Sequence, residues 1–184
     1  QDLSIDKLFR FDGDVAFVTG GGDGFGRIAS MTYANAGASV AVVDIDKAKA
    51  DAVVAEITEG GGHALALELD VSDRKALKET IDEAASALGG LHILLNNAGI
   101  TRRGPTLDMT DADWDDVLEV NLTAVVLGSR AAARHMVEHG NGRIINISSI
   151  VGLVGNRHFA HIGYQATKGA LVNTTRGLAV EWAG

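Results

Sequence analysis

Short apolar runs alternate along the chain with longer stretches in which apolar residues recur every three or four positions. The first run, 15–19, reads Val-Ala-Phe-Val-Thr and ends in a glycine cluster, the pattern of a buried strand. From about 24 to 36, Phe25, Ile28, Ala29, Met31 and Tyr33 keep the spacing of a helix laid on a sheet, and Gly37 stops it. A second strand is predicted over 39–44. A helix over 47–59 follows, with Ala48, Ala52, Val53, Ala55 and Ile57 apolar, and three glycines end it. The third strand is predicted over 63–69, and Ser72 is the expected N-cap of a helix to Leu88. Positions 91–95 read as a fourth strand. Thr110 and Asp113 suit a capping box that opens one long helix to about His139. A fifth strand over 143–147 and a last helix from near Tyr164 to Trp182 complete the pattern.

Strands this apolar belong in parallel sheets with helices on both faces. Regular alternation of strand and helix implies right-handed crossovers. The predicted fold class is therefore α/β, a doubly wound parallel sheet of Rossmann type. A length of 184 residues suits a single domain over 1–184, and no linker, repeat or biased tail divides it. The one proline, Pro105, falls in the loop after the fourth strand.

Charge and composition restrict the partners. The net charge of −8 makes a surface that repels phosphate backbones, which argues against nucleic acid. No apolar run approaches the ~20 residues that span a bilayer, so no membrane partner is expected. Cysteine is absent, which removes disulfides, thiolate nucleophiles and Cys-ligated zinc, and fits a cytoplasmic location. Residues 1–14 are mixed and charged and lack the pattern of a signal peptide. The first residue is Gln, so a trimmed N-terminus is expected.

Between the first strand and the first helix lie Thr19, Gly20, Gly21, Gly22, Asp23, Gly24, Phe25 and Gly26. Glycines let the backbone turn tightly and approach a ligand. The helix N-terminus offers unpaired N–H groups to a pyrophosphate. A plain glycine-rich turn is the alternative, but its position after a strand and before a helix favours the dinucleotide. Asp44 ends the second strand about 20 residues on, where an acid accepts hydrogen bonds from an adenosine ribose. Its charge would repel a 2′-phosphate. Asp23 adds a second negative charge, neither Ile45 nor Asp46 supplies a cation, and Lys47 is expected to face solvent. NAD is therefore favoured over NADP. The competing reading of Asp44 is a cap for the next helix.

Taken together, Thr19-Gly20-x-x-x-Gly24-x-Gly26, Asn96-Asn97-Ala98-Gly99, Asn121, Ser149 and Tyr164-x-x-x-Lys168 resemble the classical short-chain dehydrogenase/reductase family. The resemblance runs from about Phe11 to the last residue, with the motifs in the family's order. It implies that Gly20, Asp23, Gly24, Phe25, Gly26, Asp44 and Ile45 hold the cofactor. It implies the same for Asn97, Ala98 and Gly99 beside the adenosine ribose, for Asp70 and Val71 beside the adenine, and for Tyr164 and Lys168. A helix-capping role is the alternative for Asp70. The implied catalytic residues are Asn121, Ser149, Tyr164 and Lys168.

Tyr164 and Lys168 are four apart, so on a helix they share one face. An isolated phenol titrates near ~10, too high for a base at neutral pH. An ammonium about 4 Å away favours a phenolate by up to ~4 kcal/mol at an effective dielectric of about 20. Such a phenol can take a hydroxyl proton as hydride leaves, or return it during reduction. Ser149 follows the fifth strand, and its hydroxyl can hold the substrate oxygen. Ser148 competes for that role. In the family pattern the second serine acts, so Ser148 is expected to cap or pack. Asn121 is a mediocre helix former placed inside the long helix. It either bonds a neighbouring carbonyl or, by resemblance, binds a water that links Lys168 to solvent.

Other groups carry weaker signals. Asp108, Asp111, Asp113, Asp115, Asp116 and Glu119 read as a solvated face at a helix start. His135 and His139 have metal-ligand spacing but no third ligand at a clear spacing, so no metal is predicted. His158 and His161 precede Tyr164 and could contact a polar substrate. Arg102 and Arg103 could bind an anion, but read more simply as exposed loop residues. The family carries roughly one-third more chain, so further C-terminal strands are expected to be missing and the fifth strand to leave an open edge. The expected function is NAD-dependent hydride transfer on a secondary alcohol or ketone, such as a sugar, polyol or hydroxyacyl chain. The alternatives are an NAD-dependent epimerase or dehydratase, and a non-catalytic NAD-binding module. A homo-oligomer, dimer or tetramer, is carried over from the family.

Overall fold

The computed structural model of the chain describes residues 9–155 and 160–183. Its elements are β1 (Val15–Thr19), α1 (Gly24–Asn35), β2 (Ser39–Asp44), α2 (Lys47–Glu59), β3 (His63–Glu68), α3 (Arg74–Leu88) and β4 (Ile93–Asn96). After these come α4 (Asp111–Leu118), α5 (Ala124–His139), β5 (Arg143–Asn146) and α6 (Ile162–Trp182). The strands form one sheet in the order β3-β2-β1-β4-β5, and every pairing is parallel. The α/β doubly wound fold expected from the alternation is the fold observed.

The register places the function. Thr19 lies opposite Val43, and Val18 opposite both Val42 and Leu95. The carboxyl ends of β1, β2 and β4 therefore finish at one edge. The chain leaves β1 toward β2 on one side and reaches β4 on the other, which opens a crevice at that edge.

Apolar residues cover both faces. Under α3 and α5, Phe17, Val43, Leu77, Ile81, Leu94 and Met136 pack together. Under α1 and α2 the packing is by Val18, Val40, Val42, Ala50, Val53 and Leu95. Burying one such side chain contributes about 1.5–3 kcal/mol. α6 packs against α4 and closes on Leu171, which is buried. β5 is the outer strand of the sheet, with Ile145 exposed.

Several boundaries differ from the sequence reading. Asp73, not Ser72, caps α3, accepting from the N–H groups of Lys75 and Ala76. Ser72 instead turns back on Asp70, donating its N–H and its hydroxyl to one carboxylate oxygen. The fourth strand is Ile93–Asn96, and His92 before it still bonds to both neighbours: its N–H donates to the Val15 carbonyl at 2.9 Å, its carbonyl accepts from Arg143 N–H at 2.8 Å, and its imidazole takes the Val15 N–H at 3.0 Å. The last helix begins at Ile162, two residues before Tyr164. The long helix to His139 contains a π turn over Glu119–Thr123, between α4 and α5. No described helix is long and apolar enough to cross a membrane.

Candidate active site and cofactor crevice

A crevice of about 950 Å³ opens at the carboxyl edge of the sheet. Gly20, Asp44, Ile45, Asp70, Val71, Ala98 and Gly99 line it, and all seven belong to the expected cofactor set. Asp23, Gly24, Phe25, Gly26 and Asn97 stand outside this lining. They build the turn at its floor and the first turn of α1.

Two glycines of that turn leave no room for a side chain. Gly20 has φ +62, and a β-carbon there would meet the Asn97 amide and the Ala98 backbone. A β-carbon at Gly26 would overlap the Gly20 carbonyl. Asn97 clamps the same strand end, donating its side-chain amide to the Thr19 and Gly20 carbonyls at 3.0 and 3.1 Å. The Thr19 hydroxyl accepts from the Asn97 and Ala98 N–H groups. Thr19 thus ties β1 to the loop after β4. Sequence reasoning quoted it in the motif without giving it a role. Asp23 caps α1, accepting from Gly24 N–H at 2.7 Å, and Phe25 is exposed.

Asp44 is held by two backbone donors. Oδ2 accepts from Gly22 N–H and Oδ1 from Asp46 N–H, each at 3.0 Å. The cap of α2 is Asp46, so the capping alternative for Asp44 is not what the structure shows. Lys47 pairs with Asp51 on the exposed face of α2. Lys49, also on α2, reaches the turn, and its ammonium donates to Asp23 at 2.9 Å. No sequence signal joined these two positions, because their contact crosses from α1 to α2.

A second cluster surrounds α6. Lys168 is 4% exposed, and its ammonium donates to the Ile147 carbonyl at 2.6 Å. Burial pushes that ammonium below the usual lysine range. Its Nζ lies 5.5 Å from the centre of the half-buried Tyr164 ring. The buried His161 ring packs 5.5 Å from Tyr164 one turn earlier. His158 lies outside the described residues. Asn121 is fully buried in the π turn and holds both backbone groups of Ile100. Its amide also reaches the Thr167 hydroxyl at 3.3 Å. Asn121 therefore bonds across to the loop after β4, not to a carbonyl of its own helix. A β-carbon at Gly99 would lie 3.2 Å from Asn121 Oδ1 and 3.7 Å from Lys168 Nζ, so the two side chains meet around that glycine.

Of the capping and packing roles expected for Ser148, the structure shows the packing one. Ser148 donates its hydroxyl to the Lys168 carbonyl at 2.7 Å, tying the β5 end to α6. Ser149 caps the short turn over Ile150–Gly152 through a long 3.4 Å contact from Val151 N–H. That turn packs on α6 where Gly152 meets the Lys168 backbone.

Both arginines that line the crevice are paired. Arg102 bridges Asp116 and Asp113 at 3.1 and 3.5 Å. Arg74 forks onto Glu119 at 2.6 and 2.7 Å and holds that carboxylate below its usual range. Of the acids read as a solvated face, Asp113, Asp116 and Glu119 are partners of arginines. His135 binds Asp82 at 2.8 Å, and His139 stacks on His92.

Comparison with known proteins gives the arrangement a family. The family model for short chain dehydrogenase matches residues 14–184. The chain belongs to the short-chain dehydrogenase family. D-threitol dehydrogenase of Mycolicibacterium smegmatis is 35% identical over 100% of this chain and 70% of its own length. A solved short-chain type dehydrogenase/reductase from Mycobacterium marinum superposes with a TM-score of 0.94 at 35% identity, covering 98% of this chain and 74% of that one. A Beutenbergia cavernae protein, described as an NAD(P)-dependent gluconate 5-dehydrogenase and solved with NADP at low occupancy, superposes with a TM-score of 0.88 at 39% identity. It is covered over 69% of its length, and this chain over 96%. As a short-chain dehydrogenase, the chain is an oxidoreductase of a family that uses a nicotinamide cofactor. The residues present fit such a dinucleotide. The glycine turn admits no side chain at its closest points, and the crevice ends on a carboxylate that two backbone N–H groups hold in place.

Proposed function

We propose that the chain transfers hydride between NAD and a secondary alcohol or ketone, with Tyr164 as the proton-exchanging group. One observation carries the reading. The buried Lys168 ammonium stands 5.5 Å from the Tyr164 ring centre, beside Gly99 at the crevice edge. The contact places a positive charge beside the side chain that exchanges the proton. When bound, the dinucleotide supplies the hydride acceptor or donor. During alcohol oxidation Tyr164 takes the hydroxyl proton, and during ketone reduction it returns one to the oxygen. Ser149 holds the substrate oxygen through a hydroxyl that its own turn engages only weakly. Lys168 and Asn121 meet around Gly99, which suits a water that passes the proton from Tyr164 through Lys168 to solvent. Gly20, Asp23, Gly24, Phe25, Gly26, Ile45, Asp70, Val71, Asn97, Ala98 and Gly99 form the cofactor cradle in this proposal.

Asp44 supports NAD. Its carboxylate faces the crevice, and its charge opposes a 2′-phosphate. The likeness to D-threitol dehydrogenase favours a polyol as the alcohol. The test is Tyr164→Phe. It should abolish oxidation of a panel of secondary alcohols and polyols with NAD+, while NADH still binds. Unchanged turnover in that variant would overturn the proposal.

A further inference from the structure

Lys49 brings a positive charge to the corner of the crevice that Asp44 makes negative. The two side chains meet across Gly22. A β-carbon there would lie 2.7 Å from Lys49 Cβ and 3.0 Å from Asp44 Oδ2. The Lys49 ammonium is drawn across the turn onto Asp23 at 2.9 Å. Asp23, Asp46 and Asp44 together raise its pKa, with the Asp23 hydrogen bond the largest cause. It therefore stays charged at neutral pH. The pair is exposed on both sides, and solvent-screened pairs of this kind hold loosely. A phosphate dianion carries more charge than one carboxylate and competes well for an ammonium.

We propose that Lys49 is a latent selector of the cofactor. Asp23 occupies its ammonium, and removal of the Asp23 charge frees Lys49 to accept the 2′-phosphate of NADP. Selection against the phosphate then has two parts: repulsion by Asp44, and sequestration of the Lys49 ammonium by Asp23. The inference rests on the reading above that the crevice holds a nicotinamide dinucleotide. It adds a residue that neither the glycine pattern nor the strand end reveals.

The test is binding. NADH and NADPH are titrated separately into the unaltered chain, Asp23→Asn, Lys49→Gln and the double variant, by calorimetry. Asparagine keeps the cap on Gly24 N–H, and thermal melts check that each variant folds. Asp23→Asn should tighten NADPH about tenfold relative to NADH. The double variant should lose that gain, and added salt should shrink it. If Asp23→Asn and the double variant bind NADPH alike, the Lys49 proposal is overturned, whichever cofactor the unaltered chain prefers. If the unaltered chain prefers NADPH, the NAD reading fails separately. Lys49→Gln alone then decides the selector, because weaker NADPH binding supports it and unchanged binding removes it.

Discussion

Asn121 satisfies both backbone polar groups of Ile100: Oδ1 accepts its N–H and Nδ2 donates to its carbonyl, each at 2.8 Å. One side chain thus plays the part of a neighbouring strand for the loop that follows β4.

Asn121→Ala leaves that N–H and carbonyl without their partner. Each unsatisfied group costs about 1–3 kcal/mol. The variant should lose about 2–4 kcal/mol in urea unfolding. A loss below about 0.5 kcal/mol would mean that Ile100 finds other partners and that Asn121 does not organise the loop.

Gly24 and Gly26 should respond unequally to alanine. Gly24 has φ +50 but open space around it, so its variant meets backbone strain of about 1–2 kcal/mol. Gly26→Ala drives a methyl into the Gly20 carbonyl and the Asn97 amide. It should cost more than about 3 kcal/mol and abolish NADH binding. Paired chemical denaturation and dinucleotide titration compare the two.

Ser148→Ala and Ser149→Ala should separate stability from rate. The first deletes a 2.7 Å bond to the Lys168 carbonyl and should cost about 1 kcal/mol of stability. The second should leave the melting temperature nearly unchanged. With Ser149 holding the substrate oxygen, its kcat should fall ~100-fold or more. Equal rates for the two variants would remove Ser149 from the proposed mechanism.

Lys168 gives a signed pH effect. Burial lowers its pKa from 10.5, so the folded chain releases this proton before the unfolded chain does. Between the lowered value and 10.5 the unfolded state binds more protons, and stability from this group rises with pH. Below the lowered value the burial penalty is fully present. Lys168→Met should therefore flatten the change in urea midpoint between neutral pH and pH ~10. An identical slope in the variant would show that the amine is solvated.

Much of this was legible in the chain because the deciding patterns are local. β1, β2 and the glycine turn between them follow from short apolar runs and the need for a close backbone approach. Tyr164 and Lys168 share a face through simple helical spacing. Elsewhere local signals competed. Ser72 and Asp73 are adjacent good caps, and the Asp70 carboxylate removes the first by taking its hydroxyl. Asp44 and Asp46 flank one helix start, and the Gly22 N–H decides which faces the crevice. Lys49 with Asp23 and Arg74 with Glu119 join elements far apart in sequence. No periodicity announces such pairs.

The π turn over Glu119–Thr123 escaped the pattern because it absorbs a residue without interrupting the run of helical backbone. Its wider loop accommodates roughly one residue beyond regular α winding, about 100° of rotation about the axis. The helix before it and the helix after it are consequently out of phase. α5 packs Ala132 and Met136 into the core, while Asn121 reaches Ile100. Deleting a single position inside the turn would restore ideal winding and swing one of these faces into solvent.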